Sequence, residues 1–121
     1  DPIIPTINDD EDDFEELVSA LADAGVRQIT VSTLKPVRGF FSKLRDLDPE
    51  LHRRLWHFYE DGESAMGYRH MRMRERQELI GRLRSTVIGH GLEFASCREG
   101  LRELNTALCD GTAQCRGPPI I

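Results

Sequence analysis

The sequence lacks the features that most directly indicate a function. No apolar run approaches the roughly twenty residues that a membrane-spanning helix needs, so we expect a soluble, cytoplasmic protein. There is no glycine-rich phosphate loop, no Gly-x-Ser-x-Gly nucleophile elbow and no His-Glu-x-x-His zinc motif. Carboxylates are numerous, but none form a pair at a recognisable catalytic spacing. The chain therefore contains no self-sufficient catalytic motif.

Cysteine is also scarce, and its placement is uneven. All three cysteines lie in the last quarter of the chain, at Cys97, Cys109 and Cys115. A short apolar run at residues 92–95 predicts a strand that ends beside Cys97, and Asp110-Gly111 predicts a turn directly after Cys109. Two thiols are therefore expected where the chain reverses direction.

Three interpretations of these thiols stay open. In the first, they are small buried packing residues, as free cysteines often are. In the second, they bind zinc or an iron–sulfur cluster, with a fourth ligand from His70, His90, solvent or a substrate. In the third, two of them form a disulfide, which leaves one thiol over. Their spacing is not a tight Cys-x-x-Cys pair and does not decide among the three.

Charge is distributed as unevenly as cysteine. The net charge is −5, yet the first sixteen residues hold eight acids and no lysine or arginine, so the remainder carries +3. Basic residues cluster further along, at Lys35, Arg38, Lys43, Arg45, Arg53, Arg54, Arg69, Arg72, Arg74, Arg76, Arg82 and Arg84. They could contact nucleic-acid phosphates. The alternative is a pair of solvated helix faces with ion pairs such as Glu78 to Arg82.

The first third of the chain predicts a βαβ crossover in a parallel sheet. Residues 2–7 are apolar and interrupted by two prolines, which is typical of a strand leaving a sheet. Residues 12–24 predict a helix that Gly25 ends, and the β-branched residues 27–34 predict the next strand. The expected buried stripe of that helix is Phe14, Leu17, Val18 and Leu21.

The middle of the chain predicts helices. Asp48-Pro49 predicts a helix start, residues 62–70 a loop, and residues 72–89 a helix. His70, in a loop among arginines that would lower its pKa, is a candidate for acid–base work or ligation, or a surface histidine with no role. Trp56 and Tyr59 either stack on nucleotide bases or pack in the core.

We expect one domain or domain fragment over residues 1–121. It divides into a βαβ unit at 1–36, a helical segment at 37–91, and a last strand with a cysteine-bearing tail at 92–121. Because the chain begins at Asp1 with Pro2-Ile-Ile-Pro5 already in the apolar segment, we also expect a piece of a longer protein or a processed chain.

Two stretches together resemble a known family. They are Pro2-Ile-Ile-Pro-Thr-Ile-Asn-Asp9, with the βαβ unit that follows, and Phe94-Ala-Ser-Cys-Arg-Glu-Gly100 with Glu103-Leu-Asn-Thr106 and Cys109-Asp-Gly111. They resemble the carboxy-terminal half of radical-SAM proteins of the spore photoproduct lyase and DNA-repair-photolyase-like group. Thr6 stands where the family pattern usually has glycine. The family's Cys-x-x-x-Cys-x-x-Cys cluster loop does not occur in the sequence.

The resemblance implies the carboxy-terminal part of a partial (β/α)6 radical-SAM-type barrel, continued by a helical extension and a cysteine-bearing tail. It implies an enzyme that cleaves S-adenosylmethionine reductively with an iron–sulfur cluster, with DNA repair or another modification as the downstream chemistry. Ile4, Pro5 and Asn8 would then lie near the adenine of S-adenosylmethionine, and Cys97 and Cys109 would belong to the tail that covers the mouth of the barrel. Cys97, Cys109 and Cys115 stay the candidate metal ligands from the sequence itself. Without the cluster loop the chain would not be self-sufficient. The alternatives are a non-catalytic module that binds nucleic acid or an acidic partner through the basic helices, and a small zinc-binding domain.

Overall fold

The computed structural model describes residues 1–115. In chain order the regular elements are α1 (Glu11–Asp23), β1 (Gln28–Val31), α2 (Phe40–Leu47), α3 (Pro49–Tyr59), β2 (Ser64–Ala65), β3 (Tyr68–Arg69), α4 (Met73–Gly89) and β4 (Glu93–Ser96). Two 3-10 turns, Arg102–Leu104 and Thr112–Cys115, follow β4. Within residues 1–115 no helix is both long and apolar enough to cross a membrane.

The sheet at the centre of the fold is parallel. β1 pairs with β4, with Ile29 opposite Phe94, and the amino-terminal segment joins the other edge of β1 through a parallel bridge between Ile3 and Thr33. The bridge hydrogen bonds run from Ile3 N to Ser32 O at 2.8 Å and from Leu34 N to Ile3 O at 3.0 Å. Three parallel segments therefore stand in chain order with β1 in the middle, as the predicted βαβ crossover requires.

Local signals in the sequence account for the helix ends. Asp10 caps α1, because its Oδ1 accepts the Asp13 N–H at 3.0 Å, and Gly25 ends the helix at φ +88°. Asp48 caps α3 in the same way, by accepting the Leu51 N–H at 3.0 Å. The acids of the first turn of α1 lie at the positive end of the helix dipole, which explains much of the acidic cluster without a ligand.

One core holds the helices on the sheet. α1 and α4 pack against each other, and their buried residues form one cluster with Val31 and Phe94 of the strands. The α1 stripe is narrower than the sequence predicts, since Phe14 and Val18 are buried but Leu17 is 54% exposed. Leu17 lies one position before Val18, which turns its side chain about 100° away from the buried line.

A β-hairpin replaces the loop predicted at residues 62–70. β2 and β3 pair antiparallel across the two residues Met66 and Gly67, which have φ +52° and +81°. Two successive positive φ values are the geometry of the tight turn that suits hairpins. The hairpin has no alternating apolar pattern in the sequence, because each strand has only two residues and is mostly exposed.

Candidate functional site

The carboxyl ends of the parallel strands form the strongest candidate site. Thr33 and Lys35 follow β1 and Glu99 follows β4, so all three lie at the edge of the sheet where parallel α/β folds bind ligands. A cavity of about 900 Å³ lies between this edge and the β2–β3 hairpin. Its lining includes Ser32, Thr33, Lys35, His70, Cys97 and Arg98.

Glu99 is a fully buried carboxylate beneath this cavity. Its Oε1 accepts the Thr33 N–H at 2.6 Å and a Lys35 ammonium hydrogen at 2.6 Å, and its Oε2 accepts the Thr33 hydroxyl at 2.9 Å. The side chain of Glu99 is 0% exposed and that of Lys35 is 13% exposed. Because a buried charge needs both a partner and hydrogen bonds, this contact set is what keeps Glu99 inside the fold.

Arg76 carries the network from the sheet to α4 and the hairpin. Its guanidinium Nε lies 4.0 Å from Glu99 Oε2, its NH1 group contacts His70 Nδ1 at 3.0 Å, and its NH2 group donates to Glu63 at 3.2 Å. The Arg76 side chain is 2% exposed, and its Nε has no hydrogen-bond partner within residues 1–115. A continuous set of polar contacts thus joins both strand ends, α4 and the hairpin.

The loop after β4 directs Glu99 inward. Cys97 N–H still donates to Val31 O at 3.0 Å, which extends the parallel ladder by one bond. Arg98 then takes φ +59°, a left-handed conformation that few residues other than glycine adopt. This turn sends the Glu99 side chain back under the sheet edge while the Arg98 side chain stays exposed.

Tyr59 closes the inner side of the network. Its hydroxyl donates to the Leu34 carbonyl at 2.6 Å. Burial raises the pKa of Tyr59 far above its usual range, the nearby Glu99 carboxylate raises it further, and Arg76 opposes both. Tyr59 therefore stays protonated and remains a donor, which fixes the backbone between Thr33 and Lys35.

His70 is held in its neutral form. Burial lowers the pKa of His70 first, and the positive charges of Arg76 and Lys35 lower it further, while Glu63 and Glu99 oppose them. The direction agrees with the sequence prediction, although burial rather than the arginines is the larger cause. Because the Arg76 guanidinium donates to Nδ1, the ring proton of neutral His70 lies on Nε2.

His70 makes the stability of the protein depend on pH in a defined direction. Its folded-state pKa lies below the unfolded value of 6.5, so the unfolded chain binds more protons as pH falls through that value. We expect stability to decrease on acidification below about pH 6.5, and the substitution His70→Gln to reduce that slope. Urea unfolding of both proteins across the pH range measures it. An unchanged slope in the variant would show that His70 is not a source of the dependence.

The residues predicted near S-adenosylmethionine shape a loop. The Asn8 side chain accepts the Ile4 N–H at 2.6 Å and donates to the Pro2 carbonyl at 3.0 Å. Pro5 is buried and Ile4 is half-buried. The Asn8 side chain therefore satisfies the Ile4 N–H and the Pro2 carbonyl of the amino-terminal segment, and both ends of its amide have backbone partners.

Thr6 adopts the conformation that the glycine of the family pattern would favour. It has φ +68°, which is strained for a β-branched residue. We expect Thr6→Gly to raise the free energy of unfolding by about 0.5–1 kcal/mol, the strain relieved less the entropy that glycine adds to the unfolded chain. Thr6→Ala keeps the Cβ atom, so it should raise the free energy of unfolding by a smaller amount. Thermal unfolding compares the two, and equal effects would contradict the strain argument.

The structure partly separates the three cysteines. All three are free thiols, with Cys97 half-buried and Cys109 and Cys115 exposed. Cys97 and Cys109 line the same depression, of about 870 Å³, and Cys115 is not among its lining residues. In the part of the chain that the structure describes, no three His, Cys, Asp or Glu side chains come together as a metal site. Within residues 1–115 the tail thus shows two thiols at one depression and no assembled set of three ligands, and metal binding by Cys97, Cys109 and Cys115 stays a prediction.

Most of the basic cluster is neutralised by partners within residues 1–115. Side chains of eight of its members contact acids or backbone carbonyls: Lys35, Arg53, Arg69, Arg72, Arg74, Arg76, Arg82 and Arg84. Trp56 is also occupied, with the Arg69 guanidinium 5.0 Å from its ring centroid and His52 stacked at 6.1 Å. Most of the basic side chains that could contact nucleic-acid phosphates, and the Trp56 ring that could stack on a base, therefore already contact other groups of the protein.

The sequence does not mark Lys35 and Glu99 as a site. Lys35 belongs to the basic cluster, and Glu99 belongs to the Phe94–Gly100 stretch. The signal in the sequence is their position, because Lys35 directly follows the predicted strand at 27–34 and Glu99 lies four residues after the predicted strand at 92–95. Comparisons with family models, with curated proteins and with solved structures found no match to this chain.

Proposed function

We propose that this chain is the carboxy-terminal wall of a radical-SAM-type partial barrel in a cytoplasmic enzyme. In that barrel it lines part of the S-adenosylmethionine pocket and the substrate side. One observation carries the proposal: the core formed with α1 and α4 lies on the sheet face of Val31 and Phe94, while the opposite face holds Gln28, Thr30, Glu93 and Ala95, of which Thr30 and Glu93 are exposed. Parallel sheets are normally covered on both faces, or close into barrels whose inner face holds the site.

The register of the strands shows which residues make up each face. Paired residues of parallel strands point the same way, so Ile29 and Val31 share the helix-covered face with Phe94. Gln28 and Thr30 point to the opposite face. Gln28 is covered there because its amide donates to the Leu108 carbonyl at 2.7 Å, whereas Thr30 is exposed. A polar inner wall with its ligand edge at the strand ends is the arrangement that a barrel segment needs.

Two local features support the same proposal. The positive φ of Thr6 places left-handed backbone where the family pattern usually has glycine. The family-like stretch at residues 94–100 folds as β4 and the loop that carries Glu99, so its residues lie at the site and not on a remote surface.

In this proposal the residues of this chain position S-adenosylmethionine and the substrate, and they do not themselves cleave a bond. An iron–sulfur cluster bound by the separate loop would supply the electron that cleaves S-adenosylmethionine into methionine and a carbon radical. Asn8 holds the loop that carries Ile4 and Pro5. The half-buried Ile4 would offer an apolar surface to the adenine, and the buried Pro5 would support the loop from within. Glu99 and Lys35 fix the substrate-side loops. The chain has no Cys-x-x-x-Cys-x-x-Cys motif, so it contributes no ligand of that loop.

The proposal is tested by finding and adding the missing loop. It predicts that the coding sequence upstream of Asp1 specifies Cys-x-x-x-Cys-x-x-Cys. The longer polypeptide, reconstituted with iron and sulfide without oxygen, is expected to consume S-adenosylmethionine on chemical reduction. The same polypeptide with its motif cysteines changed to alanine is the control. An upstream sequence without the motif, or consumption equal to the control, would contradict the proposal.

Nucleic acid remains the proposed class of partner on the substrate side. The side chains of four members of the basic cluster have no hydrogen bond or ion pair within residues 1–115: Arg38, Lys43, Arg45 and Arg54. They lie on α2, α3 and the segment before them. A salt-sensitive affinity for single-stranded DNA that falls when these four are changed to glutamine is the expected result.

A further inference from the structure

We propose that the loop of residues 97–100 is an oxyanion site that takes the phosphate or carboxylate group of a small ligand in the cavity at the strand ends. The inference goes beyond the radical-SAM assignment and does not rest on it. Three observations carry it: the backbone conformation of the loop, its unused hydrogen-bond donors, and the charges that line the cavity.

The sign of the backbone φ angle alternates along this loop. Arg98 has φ +59° and Gly100 has φ +72°, while Glu99 between them does not have a positive φ. A change in the sign of φ from one residue to the next can turn neighbouring N–H groups toward one side, which creates a concave cluster of positive dipoles. Such backbone nests bind anions in many proteins.

The donors of this loop are not used elsewhere in the described chain. The N–H groups of Arg98, Glu99 and Gly100 donate no hydrogen bond within residues 1–115. The Arg98 guanidinium likewise has no hydrogen bond or ion pair there. In contrast, the Glu99 carboxylate faces the interior, where Thr33 and Lys35 satisfy it, so it does not compete for these donors.

The cavity around the loop also favours an anion. Arg98 and Gly100 line it together with Lys35 and His70. The Lys35 ammonium is paired with Glu99 at 2.6 Å, so the Arg98 guanidinium is the lining side-chain cation with no ion pair within residues 1–115. The Nδ1 atom of His70 accepts from Arg76, so its Nε2 bears a proton and is a further donor. The single acid of the lining is Asp1, and its carboxylate already accepts the N–H and hydroxyl of Ser32 at 3.1 Å and 2.7 Å.

The test is a titration of the 15N-labelled chain with sodium phosphate and, separately, with sodium acetate at constant ionic strength, followed by amide NMR shifts. The expected result is a saturable shift of the amides of Arg98, Glu99 and Gly100 with at least one of the two anions. A shift with phosphate alone assigns a phosphate group, and a shift with both assigns any oxyanion. No saturable shift at these three amides with either anion would overturn the proposal.

Matched variants distinguish binding at this loop from non-specific attraction of anions to positive charge on the surface. Arg98→Asn removes the guanidinium while asparagine tolerates positive φ, and we expect it to weaken binding about tenfold or more. Arg98→Gly repeats the test without side-chain strain if the first variant does not fold. Arg27→Gln removes an exposed arginine at the amino end of β1 whose side chain has no partner within residues 1–115, and it should leave binding unchanged. Equal weakening by the Arg98 and Arg27 variants would contradict the site.

Discussion

Replacement of Glu99 with glutamine should lower the free energy of unfolding by about 3 kcal/mol, because it leaves buried positive charge without its counter-charge. The side chains of Lys35 and Arg76, 13% and 2% exposed, would lose the carboxylate that lies 2.6 Å and 4.0 Å from them. An amide also cannot accept the hydrogen bonds of Thr33 and Lys35 with the strength of a carboxylate. Urea unfolding at neutral pH measures the loss.

Two comparisons make this prediction specific. Glu103→Gln removes an exposed carboxylate with no described partner, and should change stability by less than about 0.5 kcal/mol. In the double variant with Lys35→Met, the losses should not add, since each single change removes the same pair. Additive losses, or an effect of Glu99→Gln no larger than that of Glu103→Gln, would show that the network does not hold the strand ends together.

Replacement of Gly62 with alanine should have an effect of similar size for a different reason. A Cβ atom at this position would lie 1.8 Å from the His70 carbonyl oxygen and 3.2 Å from the Tyr59 carbonyl oxygen. Both are backbone atoms, so no side-chain rotation relieves the clash. We expect a loss of about 3 kcal/mol or a displaced hairpin, since overpacking against fixed atoms is costly. Urea unfolding and the amide NMR spectrum of residues 63–70 distinguish the two outcomes.

Gly81 provides the matched control for Gly62. It lies inside α4 and a Cβ atom there would contact nothing within 4 Å. Gly81→Ala should therefore stabilise the protein by about 0.5–1 kcal/mol through helix propensity. Opposite signs at the two glycines are the expected result. A Gly62→Ala protein as stable as the natural sequence, with an unchanged spectrum, would mean that the His70 carbonyl does not lie against Gly62.

The helices could be predicted from the sequence because their signals are local. The cap at Asp48, the proline that follows it and the terminating Gly25 each act within a few residues of the helix end they define. The order strand, helix, strand of the βαβ unit is likewise indicated by signals that lie within each element. α1 and α4 agree with the predicted helices to within one residue at each end, whereas β1 ends at Val31, three residues before the predicted end of its strand.

The candidate site could not be predicted in the same way because its contacts are long-range. Glu99 and Thr33 are 66 positions apart, and nothing near Glu99 in the sequence distinguishes it from an exposed acid. Its burial depends on the pairing of β1 with β4 and on the left-handed turn at Arg98. The hairpin could not be predicted although its contacts are local, because its two-residue strands are too short to show an alternating pattern.

Metal and sulfide analysis of protein purified without oxygen tests the central claim most directly. The claim is that this chain is a barrel wall whose cluster is bound by a separate three-cysteine loop. It predicts a stoichiometric cluster in the longer polypeptide that contains the loop, and loss of that cluster when the loop cysteines are changed to alanine. A longer polypeptide that binds no more iron and sulfide than this control would contradict it. Metal bound to the 121-residue chain and lost on replacing Cys97 and Cys109 with serine would assign a separate site to the tail.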